Sequence, residues 1–424
     1  MTREKVSSKV FFFSSCLILL LLFLFGVTRA YQRGANDFSV FYEAWRLVSQ
    51  GRGLEIYRES PDRFLYCPGF AWIFSPLGRL PKDFAFNLWC LAKVGSLSFI
   101  VTTLGNFIYQ PIKEKEKKRD RFFCFSLSIW GVILFSRPLL IDVEYGQVNL
   151  LILAACLWGL GVHFKSAASN TLSFMSWAAL SFAAVAKLFP LPLLIVPWVI
   201  TQGISPRKVR SERLGSLFGV LVATLSPVFT LGGTGLLSLM RDWSTAVLAR
   251  GLPMESHNQS FSAFLFHYLS GVPTHVISEG MSPLLLGQSL LSVHSIALLS
   301  FSWTFLMLGI LLGWILSGSN HSPFKWIGVV LGLLIVPSHL VWKPYFVSSI
   351  PLAVYILGRA AETGKKSNLV FIFLLFLGIN FTGFDFLGHS WAAHIEAASL
   401  MLMIHLSMLV FVATRVEHQK VVTS

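Results

Sequence analysis

An all-α, polytopic membrane bundle is the fold this sequence predicts, and three observations carry the prediction. The 424 residues are 54% hydrophobic and only 13% charged, about half the charge fraction of an ordinary soluble chain. Mean hydropathy is +0.67, and apolar runs separated by short polar loops recur from end to end, as successive membrane helices require. Arginine and lysine, 34 against 20 acids, gather in particular loops between the runs, the bias that marks the cytoplasmic side. That bias accounts for the formal charge of +14 and sets a nucleic-acid partner aside. Cys16, Cys67, Cys90, Cys124 and Cys156 show neither zinc spacing nor a disulfide framework.

The run 10–27, behind a basic terminus, exceeds the ~7–15 residues of a secretory-signal core and reads as a retained first helix. The first outer loop, about 29–83, contains the longest semi-polar stretch, 37–81. Asp37 stands where a helix should begin, and Phe38, Phe41, Tyr42, Trp45 and Val48 follow at helical spacing, with Ser39, Glu43 and Arg46 on another face. Gly51 and Gly53 end that helix. An amphipathic helix beside a span is expected to lie in the membrane interface, and Tyr66-Cys67-Pro68 and Leu80-Pro81 keep the return path irregular.

Further apolar runs occupy 84–109, 122–139, 147–163, 171–185, 189–200, 214–231, 284–316, 324–336, 346–357, 369–381 and 397–412. Together they predict about twelve transmembrane helices with both ends cytoplasmic, in a single domain over 1–424. The basic loops 113–121 and 207–210 are cytoplasmic on this reading, and nearly all acids fall outside. Residues 232–282 form a second long outer segment. The run 284–316 is too long for one upright span and must tilt or contain an interfacial turn.

Four polar clusters fall on the outer side. Asp37 is either the N-cap of the helix that follows or a general base facing a cavity, placed to take a proton from a sugar hydroxyl. Arg137 precedes Asp142 and Glu144, an acid pair able to hold a hard cation but read by preference as a solvated outer turn with a helix cap. Gln147 and Asn149 open the next span as sugar ligands or as caps for its first backbone groups. Lys187, between two apolar runs, must pair, face water or snorkel; neutralising a lipid phosphate is its functional alternative. The fourth cluster joins His257, Asn258, Gln259 and Ser260 to His339, Trp342 and Lys343. Arg137, Lys187 and Lys343 together are a candidate phosphate clamp, and Glu43 and Tyr66 complete the candidate substrate contacts. No Walker loop, dinucleotide fingerprint, HExxH or CxxC is present.

These residues carry a resemblance. Asp37-Phe38-x-Val40-x-Tyr42-x-Ala44, Gly51, Ile56-Tyr57, Tyr66-x-Pro68-x-Phe70 and Pro76-Leu77 are followed by Gly146-Gln147-Val148-Asn149, Ala186-Lys187-Leu188-x-Pro190 and Asn258-Gln259-Ser260. In that order they resemble the family-87 membrane glycosyltransferases of the GT-C superfamily, which are similar to mannosyltransferases that use polyprenol-phosphate mannose. The resemblance implies a sugar donor on polyprenyl phosphate, an extracytoplasmic glycan or glycolipid acceptor, inversion at the anomeric carbon, and Asp37 as base. It places Lys187 and the Asn258–Ser260 segment near the donor. No cofactor is expected besides the lipid-linked donor itself, and a divalent metal is not expected, Asp142 and Glu144 being the weak candidates for one. Trp342-Lys343-Pro344 departs from the paired histidines common in the family. The expected location is a bacterial cytoplasmic membrane with the site outside. The rival readings are a lipid or sugar transporter, whose binding groups belong near the midplane, and a non-catalytic relative of the same fold.

Overall fold

The computed structural model describes residues 3–58, 64–114, 121–249, 255–274, 285–318 and 321–414. The middle of the basic loop, 115–120, and the acids Glu59, Asp62 and Glu279 lie outside the described residues. Every regular element among the described residues is helical. The chain runs through α1 (Arg3–Arg33), α2 (Asn36–Ser49), α3 (Pro68–Phe74), α4 (Lys82–Glu114), α5 (Arg121–Leu134) and α6 (Ser136–Tyr145). It continues through α7 (Asn149–His163), α8 (Asn170–Lys187), α9 (Val196–Val199), α10 (Pro206–Leu225), α11 (Val228–Ala249) and α12 (Phe261–Leu269). The last elements are α13 (Val293–Leu316), α14 (Pro323–Leu333), α15 (Ile350–Thr363), α16 (Lys366–Asn380), α17 (Phe384–Ala397) and α18 (Leu400–Ala413).

Among the described residues, three helical stretches, Ser7–Arg33, Lys82–Tyr109 and Val293–Leu316, are long and apolar enough to cross a membrane by themselves. Counting each sharply bent pair as one span raises the number to six, so the expected twelve is not reached by length and composition. The reason is local. The run read as 122–139 bends by 69° between α5 and α6, and the run 214–231 by 75° between α10 and α11. Asn149–His163, Pro323–Leu333 and Lys366–Asn380 are apolar but short. Helix α13 begins only at Val293, after an extended stretch where Ser289 bridges Ser270. The outer segment read as 385–396 is itself helical, broken at Gly388.

Helix α2 forms as its periodicity predicts, but its aromatic face is spent on protein rather than lipid. Phe38, Phe41 and Trp45 are buried, with ring centroids 5.0 Å from Phe86, 4.9 Å from Tyr66 and 5.5 Å from Trp89. These rings lock α2 onto α3 and α4, which leaves its opposite, less buried face to line a cavity. Helices α8 and α10 pack backbone to backbone: a Cβ on Gly215 or Gly219 would stand 2.2 Å from the Phe174 or Ala178 carbonyl oxygen. Small residues at the crossing permit that approach, and it holds α8, with Lys187 at its end, in place.

Candidate active site

A cavity of about 970 Å³ opens between α2, the end of α8 and the 337–345 loop. Asn36, Asp37, Ser39, Val40 and Glu43 line one wall, successive turns of the α2 face opposite its aromatic stripe. Tyr66, Gln147 and Lys187 form the floor, and Thr304, His339, Trp342 and Tyr345 the far side.

Asp37 is not the N-cap. Helix α2 starts one residue earlier, capped by Ala35 in the left-handed region (φ 44°), and no side chain caps it. The Asp37 carboxylate instead accepts a hydrogen bond from Gln147 Nε2. Burial pushes its pKa up to about 6, against the opposing pull of the Lys187 ammonium and the Gln147 hydrogen bond. Gln147 uses its other end as well: Oε1 accepts from Lys187 Nζ at 3.0 Å and from Asn149 Nδ2 at 3.2 Å. Lys187 Nζ also donates to Asn149 Oδ1 at 2.6 Å and lies 4.0 Å from the Tyr345 ring centroid and 5.7 Å from that of Tyr66. Lys187 therefore faces the cavity through two amide oxygens and two aromatic faces. The residue after it, Leu188, adopts φ 50°, ψ −37°, with a tight Phe189 N–H to Lys187 carbonyl contact of 2.5 Å. That conformation is strained for a non-glycine residue, and it turns the chain sharply away at the lysine.

Asp142 and Glu144 overturn the expectation of a solvated outer turn. They lie in α6 and both are buried. Asp142 pairs with Lys93 of α4, which is fully buried. Glu144 accepts from Arg29 at 3.1 Å and Arg33 at 2.6 Å, both on α1. Both carboxylates are thus already neutralised by basic side chains, which does not suit them to a hard cation. Among the described residues no group of three or more His, Cys, Asp or Glu side chains is placed to hold a metal.

Asn258, Gln259 and Ser260 are buried and shape the far wall from behind. Asn258 Oδ1 accepts from Val341 N at 3.0 Å, while Asn258 Nδ2 and Ser260 Oγ both donate to the His339 carbonyl at 2.9 Å. Gln259 Nε2 reaches the Glu396 carbonyl at 2.6 Å. Together they hold the loop that presents His339, whose Nδ1 meets Ser262 Oγ at 2.9 Å and whose pKa burial lowers. Lys343 and His257 both engage the Glu396 carboxylate. Of the three cations expected to clamp a phosphate, only Lys187 lines the cavity; neither Lys343 nor Arg137 does. Arg137 sits at the start of α6, its backbone N–H on Asn380 Oδ1 at 2.9 Å. Glu43 lies at the rim, held below the usual carboxylate range by its hydrogen bonds to Arg46, at 2.5 and 2.9 Å.

The sequence reading passed over Lys93, Glu396, Tyr345 and Thr304. A signal was present for the first, since a lone lysine inside an apolar run is costly unless paired.

No curated protein matches the chain. Glycosyltransferase family 87 matches residues 64–337, more than half of the chain. The matched stretch takes in Tyr66, Gln147, Asn149, Lys187 and Asn258–Ser260; it begins after Asp37 and ends before His339. With that match, the chain belongs to glycosyltransferase family 87.

Proposed function

We propose that this membrane glycosyltransferase moves a hexose, mannose on the sequence resemblance, from polyprenyl phosphate to a glycan or glycolipid acceptor outside the cytoplasm. The observation that carries the reading is the presence of a carboxylate whose pKa is raised by burial, Asp37, and an ammonium, Lys187, on different elements of the same cavity. Asp37 takes the proton from the acceptor hydroxyl, whose oxygen attacks the anomeric carbon. The bond from that carbon to the phosphate oxygen breaks, and polyprenyl phosphate leaves with the electron pair. One in-line displacement inverts the configuration. The leaving group already carries charge, so Lys187 stabilises its departure electrostatically without giving up a proton. The rings of Tyr66 and Tyr345 beside the ammonium exclude water and strengthen that attraction.

A lipid-linked donor needs an apolar path next to this polar site. A groove of about 310 Å³, lined by Phe70, Leu151, Phe182, Phe218 and Val222, shares Ala186 with the cavity. It supports an isoprenoid chain beside Lys187. The test is incubation of purified protein with polyprenyl-phosphate sugars and an extracytoplasmic glycolipid extract, following sugar transfer and free polyprenyl phosphate. Acceptor-dependent release of polyprenyl phosphate is expected; donor left intact under all acceptors would refute the reading.

A further inference from the structure

The junction between α6 and α7 is over-determined for a simple change of direction. Gly146 adopts φ 69°, and a Cβ there would stand 2.5 Å from Phe38 Cβ. Gly146 N–H donates to the Val143 carbonyl at 3.1 Å and Gln147 N–H to the Asp142 carbonyl at 2.9 Å, the paired bonds of a glycine-terminated helix. Those bonds alone would end α6. The chain adds a buried charge pair. Lys93 Nζ donates to the Asp142 carbonyl at 2.8 Å and to its carboxylate, whose second oxygen accepts Asn149 N–H at 3.2 Å, the first backbone donor of α7. Trp89 Nε1, one turn before Lys93, donates to the Gly146 carbonyl at 2.8 Å. A buried ion pair is a poor way to gain stability, since apolar residues of similar volume often serve as well or better. The pair sits where direction is set: Gln147, within the junction, and Asn149, the first residue of α7, point their amides at Asp37 and Lys187.

We propose that Lys93 and Asp142 are positioning residues for the transfer, acting through Gln147, whose amide they aim so that it bridges Asp37 and Lys187. The proposal rests on the reading of Asp37 as the base. Neither residue lines the cavity. The groups acting on the Asp37 carboxylate are Lys187 at the end of α8, Asp142 on α6, Lys93 on α4 and the Gln147 amide; Asp142 raises its pKa and Lys93 lowers it. Removing both charges deletes two opposed field effects at once, so a change in Asp37 behaviour then reports chiefly the loss of Gln147 alignment.

The test compares Lys93→Met/Asp142→Asn, Gln147→Leu and all three substitutions combined, in the full chain purified from membranes. The double variant removes both charges but keeps the acceptor for Asn149 N–H. With a polyprenyl-phosphate hexose as donor, kcat is expected to fall about ten-fold in the double variant and in Gln147→Leu, as for other lost positioning contacts, with donor KM within about two-fold. Residues acting through one another are not additive, so the combined variant should also lose about ten-fold, not a hundred-fold. The acid limb of the kcat profile should move to higher pH in all three, because Asp37 loses the hydrogen bond that favours its charged form. Wild-type kcat in the double variant, or losses that multiply in the combined one, would overturn the proposal. If the double variant fails to accumulate, non-additivity with Gln147→Leu is read in Asp142→Asn instead, with the same two outcomes. If the wild type transfers no sugar, the functional reading fails by itself. The Asp37 carboxyl titration, read by infrared difference against Asp37→Asn, then decides: a midpoint raised equally in the double variant and Gln147→Leu supports positioning, and an unmoved midpoint in the double variant refutes it.

Discussion

A carboxylate serves as a base only above its pKa, which gives Asp37 a measurable signature. With its pKa raised to about 6, turnover should rise with pH through that value and level off above it. Asp37→Asn keeps the shape, accepts from Gln147 through its carbonyl, and cannot take a proton, so kcat should fall about a hundred-fold or more while donor binding persists. The same raised pKa has a stability consequence. The folded state holds the proton more tightly than the unfolded one, so the stabilising contribution is present below the ordinary value of 3.8 and is lost as pH rises through about 6. At pH 8 the Asn variant should therefore unfold at no lower temperature than wild type; a clear fall would mean that the carboxylate has a structural role. Lys187→Met removes the one expected clamp cation that lines the cavity. A charge-assisted contact contributes about 1.5–3 kcal/mol, so donor affinity should weaken roughly ten-fold or more, measured by titration with polyprenyl-phosphate sugar. At this scale the sequence was partly legible. Asp37 and Lys187 stood out as charges at the edges of apolar runs. Their connection through Gln147 did not, because the bridge joins residues 110 and 40 positions apart.

Among the elements, α2 and the α6–α7 junction decide whether a site exists. Gly146→Ala tests the junction at its tightest point. Its φ of 69° disfavours a side chain, and the added methyl would meet Phe38 Cβ at 2.5 Å. Strain of this kind costs about 1–3 kcal/mol, and a shift of α2 that relieved the contact at Phe38 would carry the adjacent Asp37 with it. Thermal unfolding and turnover should thus both fall, whereas a surface alanine would change neither. The period of α2 and its glycine stop were readable from the sequence, and so was its polar face. What that helix packs against was not. Spacing separates an apolar face from a polar one without saying whether the apolar side meets lipid or, as here, Phe86 and Trp89. The bends between α5 and α6 and between α10 and α11 were hidden for a related reason, since hydropathy counts apolar residues and carries no direction. The burial of acids such as Asp142 and Glu396 was not legible because their buried partners, Lys93 and Lys343, are distant in the chain.

Across the whole molecule, a second polar cluster lies at the far ends of α7 and α8. His163 Nδ1 meets Glu212 Oε2 at 2.9 Å, and Lys208 Nζ donates to the His163 and Lys165 carbonyls at 2.7 and 2.9 Å. This ties the α7–α8 loop to the start of α10, the basic segment read from sequence as cytoplasmic. Helix α7, 15 residues from Asn149 to His163, separates it from the cavity by roughly 22 Å at 1.5 Å per residue. Cavity and basic cluster therefore belong at opposite ends of these helices, as the charge bias requires. Single-cysteine variants at Arg52 and Ser166, both exposed, check the sidedness in intact cells. An impermeant thiol reagent should label position 52 and spare position 166, and the reverse pattern would turn the protein, with its site, inside out.

The amide of Gln147 also keeps two opposite charges from meeting in direct contact. If Asp37 and Lys187 met as a contact ion pair, each arriving substrate would first have to break that pair, and the carboxylate would lose basicity while it lasted. Gln147 acts as an insulating spacer: its NH₂ satisfies the carboxylate and its carbonyl the ammonium. The two charges can thus face one cavity without neutralising each other by contact.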